Sequence, residues 1–344
     1  MNNVDLQFTR TQAGMKRSHL TFLTVSLAVG LICHQLSMSG SAPPAPDFVY
    51  PRSNDAPRLR LTELLTADGA VSFRRSRGAR EKGLVRPTKV AFGAGADRFV
   101  LDAGRGVIIK LIDEGGNLSA AAEFGGTRGR FPSATGLAIA PSGDVWIVDS
   151  WLRSVFVISP DGKPRDSIVE IFSRPVDIAF HPQRGEMLVS DLAKNTIFAV
   201  NLSGDLKAEF KAPDSQYMQG PSFLTVGSDG RVYVCDALSG RVSVYSQTFQ
   251  PVSQLGGFGD GPGYFARPKG VAVDSAGLIY VADGLFDNVQ IFSAEGSLLL
   301  TLGHSGSGPG EFSQPSGLAL DRSGGIHVAD SYNRRFQVFR WENR

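Results

Sequence analysis

From about residue 86 to the C-terminus, apolar and polar positions alternate with a period of two, in short runs broken by Gly, Asp, Ser and Pro. The stretch from Arg267 shows the unit. VAVD, LIYVAD, VQIF and LLLTL are four apolar-alternating runs, separated by DSAG, GLFDN and SAEG. Successive side chains of a strand point to opposite faces, so this pattern predicts four strands joined by tight turns. No repeat contains a stretch with a 3.6-residue period, which excludes a solenoid of helices.

The unit recurs. RPKGVAVDSAGLIYVAD (from Arg267) aligns without a gap on QPSGLALDRSGGIHVAD (from Gln314), and the same frame is found from Gly220, Arg174, Ser133 and Arg86. Each copy carries an aspartate at the end of its second strand: Asp102, Asp149, Asp191, Asp236, Asp283 and Asp330. Four strands repeated every 40 to 50 residues or so predict a β-propeller, in which each blade buries both faces against its neighbours. The expected fold is therefore all-β, a six-bladed β-propeller with four antiparallel strands per blade. The 40 glycines in 344 residues serve as blade punctuation.

The chain stops at Arg344, after the third strand of the sixth copy (FQVFRW). An upstream strand must complete that blade and remove the open edges. Arg58 to Leu65 (RLRLTELL) alternates as an outer strand should, and is the predicted closing strand, with the blades proper starting near residue 86.

The runs PKGVAVDSAGLIYVAD, PSGLALDRSGGIHVADSYNRRFQVF and GHSGSGPGEFSQPSG resemble the repeats of NHL-type six-bladed propellers. The resemblance covers about Arg86 to Arg340 and is strongest in the last two copies. The chain looks like the envelope-associated bacterial members, which carry an N-terminal signal and a proline-rich spacer. The resemblance implies an exported propeller in the periplasm or at the membrane; that this propeller is a non-enzymatic protein or ligand interaction module is the reading of its apolar loops and of its sparse catalytic chemistry. The first copy is the most divergent, with Lys110 inside its third strand.

The N-terminal region fits that expectation. Residues 18–46 contain no Asp, Glu, Lys or Arg, and the apolar run Leu20 to Cys33 follows Lys16 and Arg17. Residues 1–42 therefore read as a cytoplasmic n-region followed by a signal peptide, or an uncleaved membrane anchor. Residues 43–57 read as a Pro-rich spacer, and 58–344 as the propeller. The propeller would then lie outside the cytoplasm, periplasmic or held at the membrane by the N-terminal segment.

Net charge changes the picture only in its distribution. Residues 1–85 hold 11 Lys and Arg against 6 Asp and Glu, leaving an excess of three acidic residues in 86–344. A mildly acidic ring is a poor nucleic-acid surface. Cys33 and Cys235 sit in no CxxC pair and support neither a disulfide framework nor a zinc site.

Candidate chemistry is sparse. The aspartate column lies at turns, where Asp readily bonds backbone, and reads as structural. The sixth copy alone adds Asn333 and Arg335 in the pattern DxxNxR. Metal-dependent lyases on similar propellers gather several histidines near the axis. Here His19 and His34 lie in the leader, His181 reads as a turn between strands one and two, and His304 falls in a glycine loop. His327 occupies a core column with Phe99, Trp146, Leu188, Tyr233 and Tyr280. The loops GGFGDGPG (256–263) and GHSGSGPG (303–310) lack GK[ST] and lead into strands, which excludes a phosphate cradle. No catalytic residue and no metal ligand is assigned.

Two binding candidates remain. Loops after the aspartate column, where polar residues belong, carry Trp151, Leu152, Leu192, Leu238, Leu285, Phe286 and Tyr332. They predict an apolar ring around the axial mouth for a protein or other envelope component. The second candidate lies two residues after the opening proline (Ala134 in blade two), where Gly136, Gly270 and Gly317 are replaced in other blades by Lys89, Asp177 and Phe223, which would line the channel mouth. No cofactor is expected on the interaction-module reading. The alternative is an exported propeller enzyme, a lyase or hydrolase, with a Ca or Zn ion held in the central channel by Asp177 and its neighbours.

Overall fold

A computed structural model describes residues 49–50, 58–66, 71–73, 83–93, 97–113, 118–125, 131–211 and 218–342. The expected leader, and all of the expected spacer except Val49–Tyr50, lie outside the described residues. The fold is a six-bladed β-propeller. Blade five is representative: Pro268–Val273, Ile279–Asp283, Asn288–Phe292 and Leu298–Leu302 pair in sequence order, all antiparallel. Around the axis the innermost strands are Pro87–Phe92, Ala134–Ile139, Pro175–His181, Pro221–Val226, Pro268–Val273 and Pro315–Leu320. Each neighbours the next, and the sixth returns to the first.

The second strands are buried along their whole length in blades two, four, five and six, because each is sandwiched between two neighbouring sheets. Period-two alternation distributes their side chains. In blade five, Tyr280 and Ala282 pack toward blade six, while Ile279 and Val281 pack toward blade four. Among the described residues an apolar cluster fills each of the six seams. Outermost strands are solvated, as in Pro164–Ile168, where four of five positions are exposed.

The ring is closed by Leu59–Thr66, which pairs antiparallel with Arg335–Trp341 and completes blade six. A bulge at Thr62 gives this strand a second role. Leu61 lies opposite Phe339, while Leu65 lies opposite Phe336. The extra residue changes the phase of the alternation. Leu59 and Leu61 enter the seam with blade five, and Leu65 enters the seam with blade one. Glu63 follows Leu65 across that seam, accepting from Arg98 Nη1 at 2.8 Å.

Two edge strands extend the expected arrangement. Val49–Tyr50, inside the stretch read as spacer, pairs with Leu59 and Arg60 and gives blade six a fifth strand. Val71–Phe73 runs parallel to Leu118–Ala120 on the outside of blade one.

His181 is placed differently from its expectation. It is the last residue of an inner strand, fully buried, and neither ring nitrogen has a hydrogen-bond partner among the described residues. Burial holds its pKa below the ordinary value. The strand continues through Phe180 and His181 and the turn begins at Pro182, which sequence punctuation alone places one residue too early.

Candidate functional site

The strand two-to-three turns and the blade-to-blade loops gather at one end of the ring, and the aspartate column holds them together. Asp283 is fully buried; its carboxylate accepts from the backbone N–H groups of Ala266 and Arg267 before the blade, at 2.7 and 3.0 Å, and of Leu285 and Phe286 in the turn, at 2.9 and 3.1 Å. Asp102 does the same for Val85, Arg86, Gly104 and Arg105. Asp149, Asp191 and Asp236 bind the corresponding amides of their own blades. In blade six the carboxylate of Asp330 accepts from Ser313 N–H, Asn333, Arg335 and Gln337. Burial raises the Asp330 pKa against the pull of these donors. Each aspartate thus clips two loops of the same end together.

Those loops present apolar side chains to solvent. Trp151 is 76% exposed, Leu285 64%, Leu238 59%, Tyr332 58% and Leu152 44%. Phe286 and Leu192 are half-buried. Leu192 and Leu238 crowd the backbone of Gly220, where a Cβ would lie 2.5 Å from Leu238 Cγ.

Nearer the axis, the three departures from the small-residue column meet one another. Lys89 of blade one forms an ion pair with Asp177 of blade three, and both are buried. Blade two lies between them and makes room with Gly136, whose Cβ would sit 2.7 Å from Asp177 Cα. The other Asp177 oxygen accepts from Leu224 N–H at 3.1 Å, and the Lys89 ammonium stands 5.8 Å from the centroid of the Phe223 ring in blade four. Burial pushes the Asp177 carboxyl above the usual range, with Lys89 opposing it. This knot is a plug in the channel rather than an open mouth.

Two cavities lie on either side of it. One, of about 390 Å³, is lined by Lys89 and the far halves of the inner strands, apolar except for Thr225. The other, of about 670 Å³, opens among the loops. Its wall includes Trp151, Phe223, Ser133, Thr135, Ser150 and Ser222, together with Arg153, Arg174, Arg267 and Lys269. Among the described residues no carboxylate lines it. Arg174 and Arg267 immediately precede the opening prolines of blades three and five, and their backbone N–H groups are the ones held by Asp191 and Asp283. The aspartate column therefore fixes the backbone from which these cations project.

Sequence reasoning missed this set. The dipeptide Arg-Pro opens blades one, three and five, at Arg86, Arg174 and Arg267. That recurrence was the available signal, hidden by the net acidity of the ring.

The histidines do not converge. His304 is exposed in its glycine loop, at the opposite end of the ring from His181. His327 is fully buried, its Nε2 3.0 Å from Asp321 Oδ2 and its ring edge-on to Phe92. Among the described residues no three His, Cys, Asp or Glu side chains come together as a metal site requires.

A family model described as a 6-bladed beta-propeller matches residues 274–342. No curated protein matches the chain in sequence. Solved structures match over most of its length. A gluconolactonase from Xanthomonas campestris is 14% identical, with a TM-score of 0.62 over 88% of this chain and 98% of its own. An auxiliary nutrient binding protein from Bacteroides ovatus is 15% identical, with a TM-score of 0.59 over 76% and 71%. Virginiamycin B lyase from Staphylococcus aureus is 15% identical, with a TM-score of 0.57 over 83% and 92%. At these identities the likeness is one of fold. The chain is a six-bladed β-propeller, consistent with the NHL-like propellers that its repeats resemble.

Proposed function

We propose that the protein is an exported binding module that holds a protein or other envelope component at the loop-rich end of its propeller. The observation that carries this reading is a roughly 670 Å³ cavity lined in part by the exposed Trp151, at an end of the ring whose other loops expose Leu285, Leu238 and Tyr332. Isolated exposed apolar residues are ordinary, but a group of them around a concave site marks recognition. Export rests on the apolar run Leu20 to Cys33 behind Lys16 and Arg17. The enzymatic alternative requires Asp177 for a cation, and that carboxylate is committed to Lys89 beside a cationic cavity, which favours binding.

The test is capture from an envelope fraction by the full chain, compared with a Trp151→Ala/Leu285→Ala variant and with Leu299→Ala on the exposed outer strand of blade five. The expected result is a partner retained by wild type and Leu299→Ala and lost from the double variant. Equal recovery by all three discards the loop-rich end as the binding surface.

A further inference from the structure

The cavity at the loop-rich end has an unusual charge inventory. Arg153, Arg174, Arg267 and Lys269 line it, and none of the four has a side-chain hydrogen bond or ion-pair partner among the described residues. The nearest carboxylates are engaged elsewhere: Asp191 and Asp283 are buried and accept from backbone amides, and Asp287 accepts from Gln314 N–H; Asp283 and Asp287 lie within electrostatic reach of Lys269, but among the described residues none of the three forms an ion pair with a cavity cation. The one carboxylate on the axis, Asp177, is paired with Lys89. Lys269 is the most confined of the four; burial, then repulsion from Arg267 and Arg86, pushes its pKa down to about 8. Like charges collected in a concavity disfavour one another, and a bound anion reverses that cost.

The wall is also chemically graded. Trp151 is largely exposed, Phe223 lies beside the buried Lys89, and Ser133, Thr135 and Ser150 add hydroxyls to the same wall. A volume of this size accommodates a small organic molecule, since ligand sites commonly span ~300–1,000 Å³. Guanidinium groups match carboxylate and phosphate oxygens in two-point contacts, and an aromatic ring at the rim suits an apolar body.

Taking the loop-rich end as the binding surface, we propose that its axial cavity binds a small organic anion, whose carboxylate or phosphate groups are held by Arg174, Arg267, Lys269 and Arg153 and whose apolar part lies against Trp151. The ring as a whole is slightly acidic, so selectivity for an anion arises from the local cluster and not from net charge. The plug formed by Lys89 and Asp177 closes the floor and prevents the ligand from passing down the channel.

Calorimetric titration of the full chain tests this with three probes: naphthalene-2,6-dicarboxylate, 2-naphthyl phosphate and the uncharged naphthalene-2,6-dicarboxamide. The expected result is saturable 1:1 binding of at least one anion, at least tenfold tighter than the diamide and weakened at least tenfold by Arg174→Ala/Arg267→Ala. Both arginines are exposed, and Lys207→Ala on the outer strand of blade three serves as the control that leaves affinity unchanged. The tighter of the two anions identifies the head group. If the diamide binds as tightly as the anions, or the double variant binds them as wild type does, the anion proposal fails while the cavity remains a binding site. If no probe binds and envelope capture is also lost, both readings fail together.

Discussion

Closure of the ring by the N-terminal strand makes a quantitative prediction. Leu61 is 2% exposed and sits in the seam between blades five and six, opposite Phe339. Truncating a buried leucine removes its transfer free energy and leaves a cavity, together ~2–5 kcal/mol. For Leu61→Ala we take ~3 kcal/mol, since the site is walled on two sides by rigid sheets that cannot collapse. In a domain of this size that lowers the melting temperature by ~6 °C. Arg60, the adjacent residue, is exposed and pairs with Glu342 at the surface; Arg60→Ala should cost less than ~1 kcal/mol. The triple variant Leu59→Ala/Leu61→Ala/Leu65→Ala opens both seams and should cost ~6–15 kcal/mol, comparable with the whole stability of a typical domain. Thermal and urea unfolding followed by circular dichroism reads all three. If Leu61→Ala and Arg60→Ala shift the transition equally, or the triple variant melts with the wild type, this strand does not close the ring.

Other consequences follow from the site. Asp283→Ala leaves four backbone N–H groups of two loops without their shared acceptor; it should lower stability by several kcal/mol, at ~1.5–3 kcal/mol for each bond to a charged group with partial rescue by water, and urea unfolding measures it. Lys89→Met strands the buried Asp177 carboxylate and should cost ~3–5 kcal/mol at pH 7. Burial already raises the Asp177 pKa, so in that variant the loss shrinks as pH falls and the carboxyl takes up a proton, visible as a smaller difference in urea midpoint at pH 5 than at pH 7. Lys269 titrates near pH 8 in the folded protein against an ordinary value above 10, so the unfolded chain binds the extra proton between these values and stability rises with pH across that window. Anion affinity has the opposite sign: it should fall as pH rises through 8 and Lys269 loses its charge among Arg267, Arg86, Asp283 and Asp287, and Lys269→Gln should remove that dependence in calorimetry.

The propeller was legible because its signals are local and repeated. An aspartate every blade, a proline opening five of the six inner strands and period-two alternation are set by backbone geometry, which every copy must satisfy separately. The closing strand was legible from the missing fourth strand after Trp341, but its division between two seams was not. RLRLT alternates on paper and Leu65 falls in the same every-second-residue frame as Leu59 and Leu61, so only pairing with Arg335–Trp341 reveals the bulge at Thr62 that sends Leu65 toward blade one. The edge strands Val49–Tyr50 and Val71–Phe73 are two and three residues long, too short for a periodicity to register.

The axial residues show a different limit. Lys89, Asp177 and Phe223 stood out as departures from a small column, yet whether they line a mouth or fill it depends on contacts between blades one, three and four, 88 residues apart for the ion pair. They fill it. The cations of the cavity come from different blades, so nothing in the linear sequence juxtaposes Arg153 with Lys269, and summing charge over the ring cancels them. The apolar loop residues were individually visible, but their exposure was not: Trp151 and Leu285 stand in solvent while Phe286, next in line, is half-buried.

The central claim is that partners meet the loop-rich end. Site-specific photo-crosslinking in intact cells tests it most directly, with a benzophenone side chain placed at position 151 on the rim or at position 206 on the exposed outer strand of blade three. The account predicts a discrete adduct from position 151 and none from position 206. Adducts of equal yield from both positions, or from position 206 alone, would contradict it.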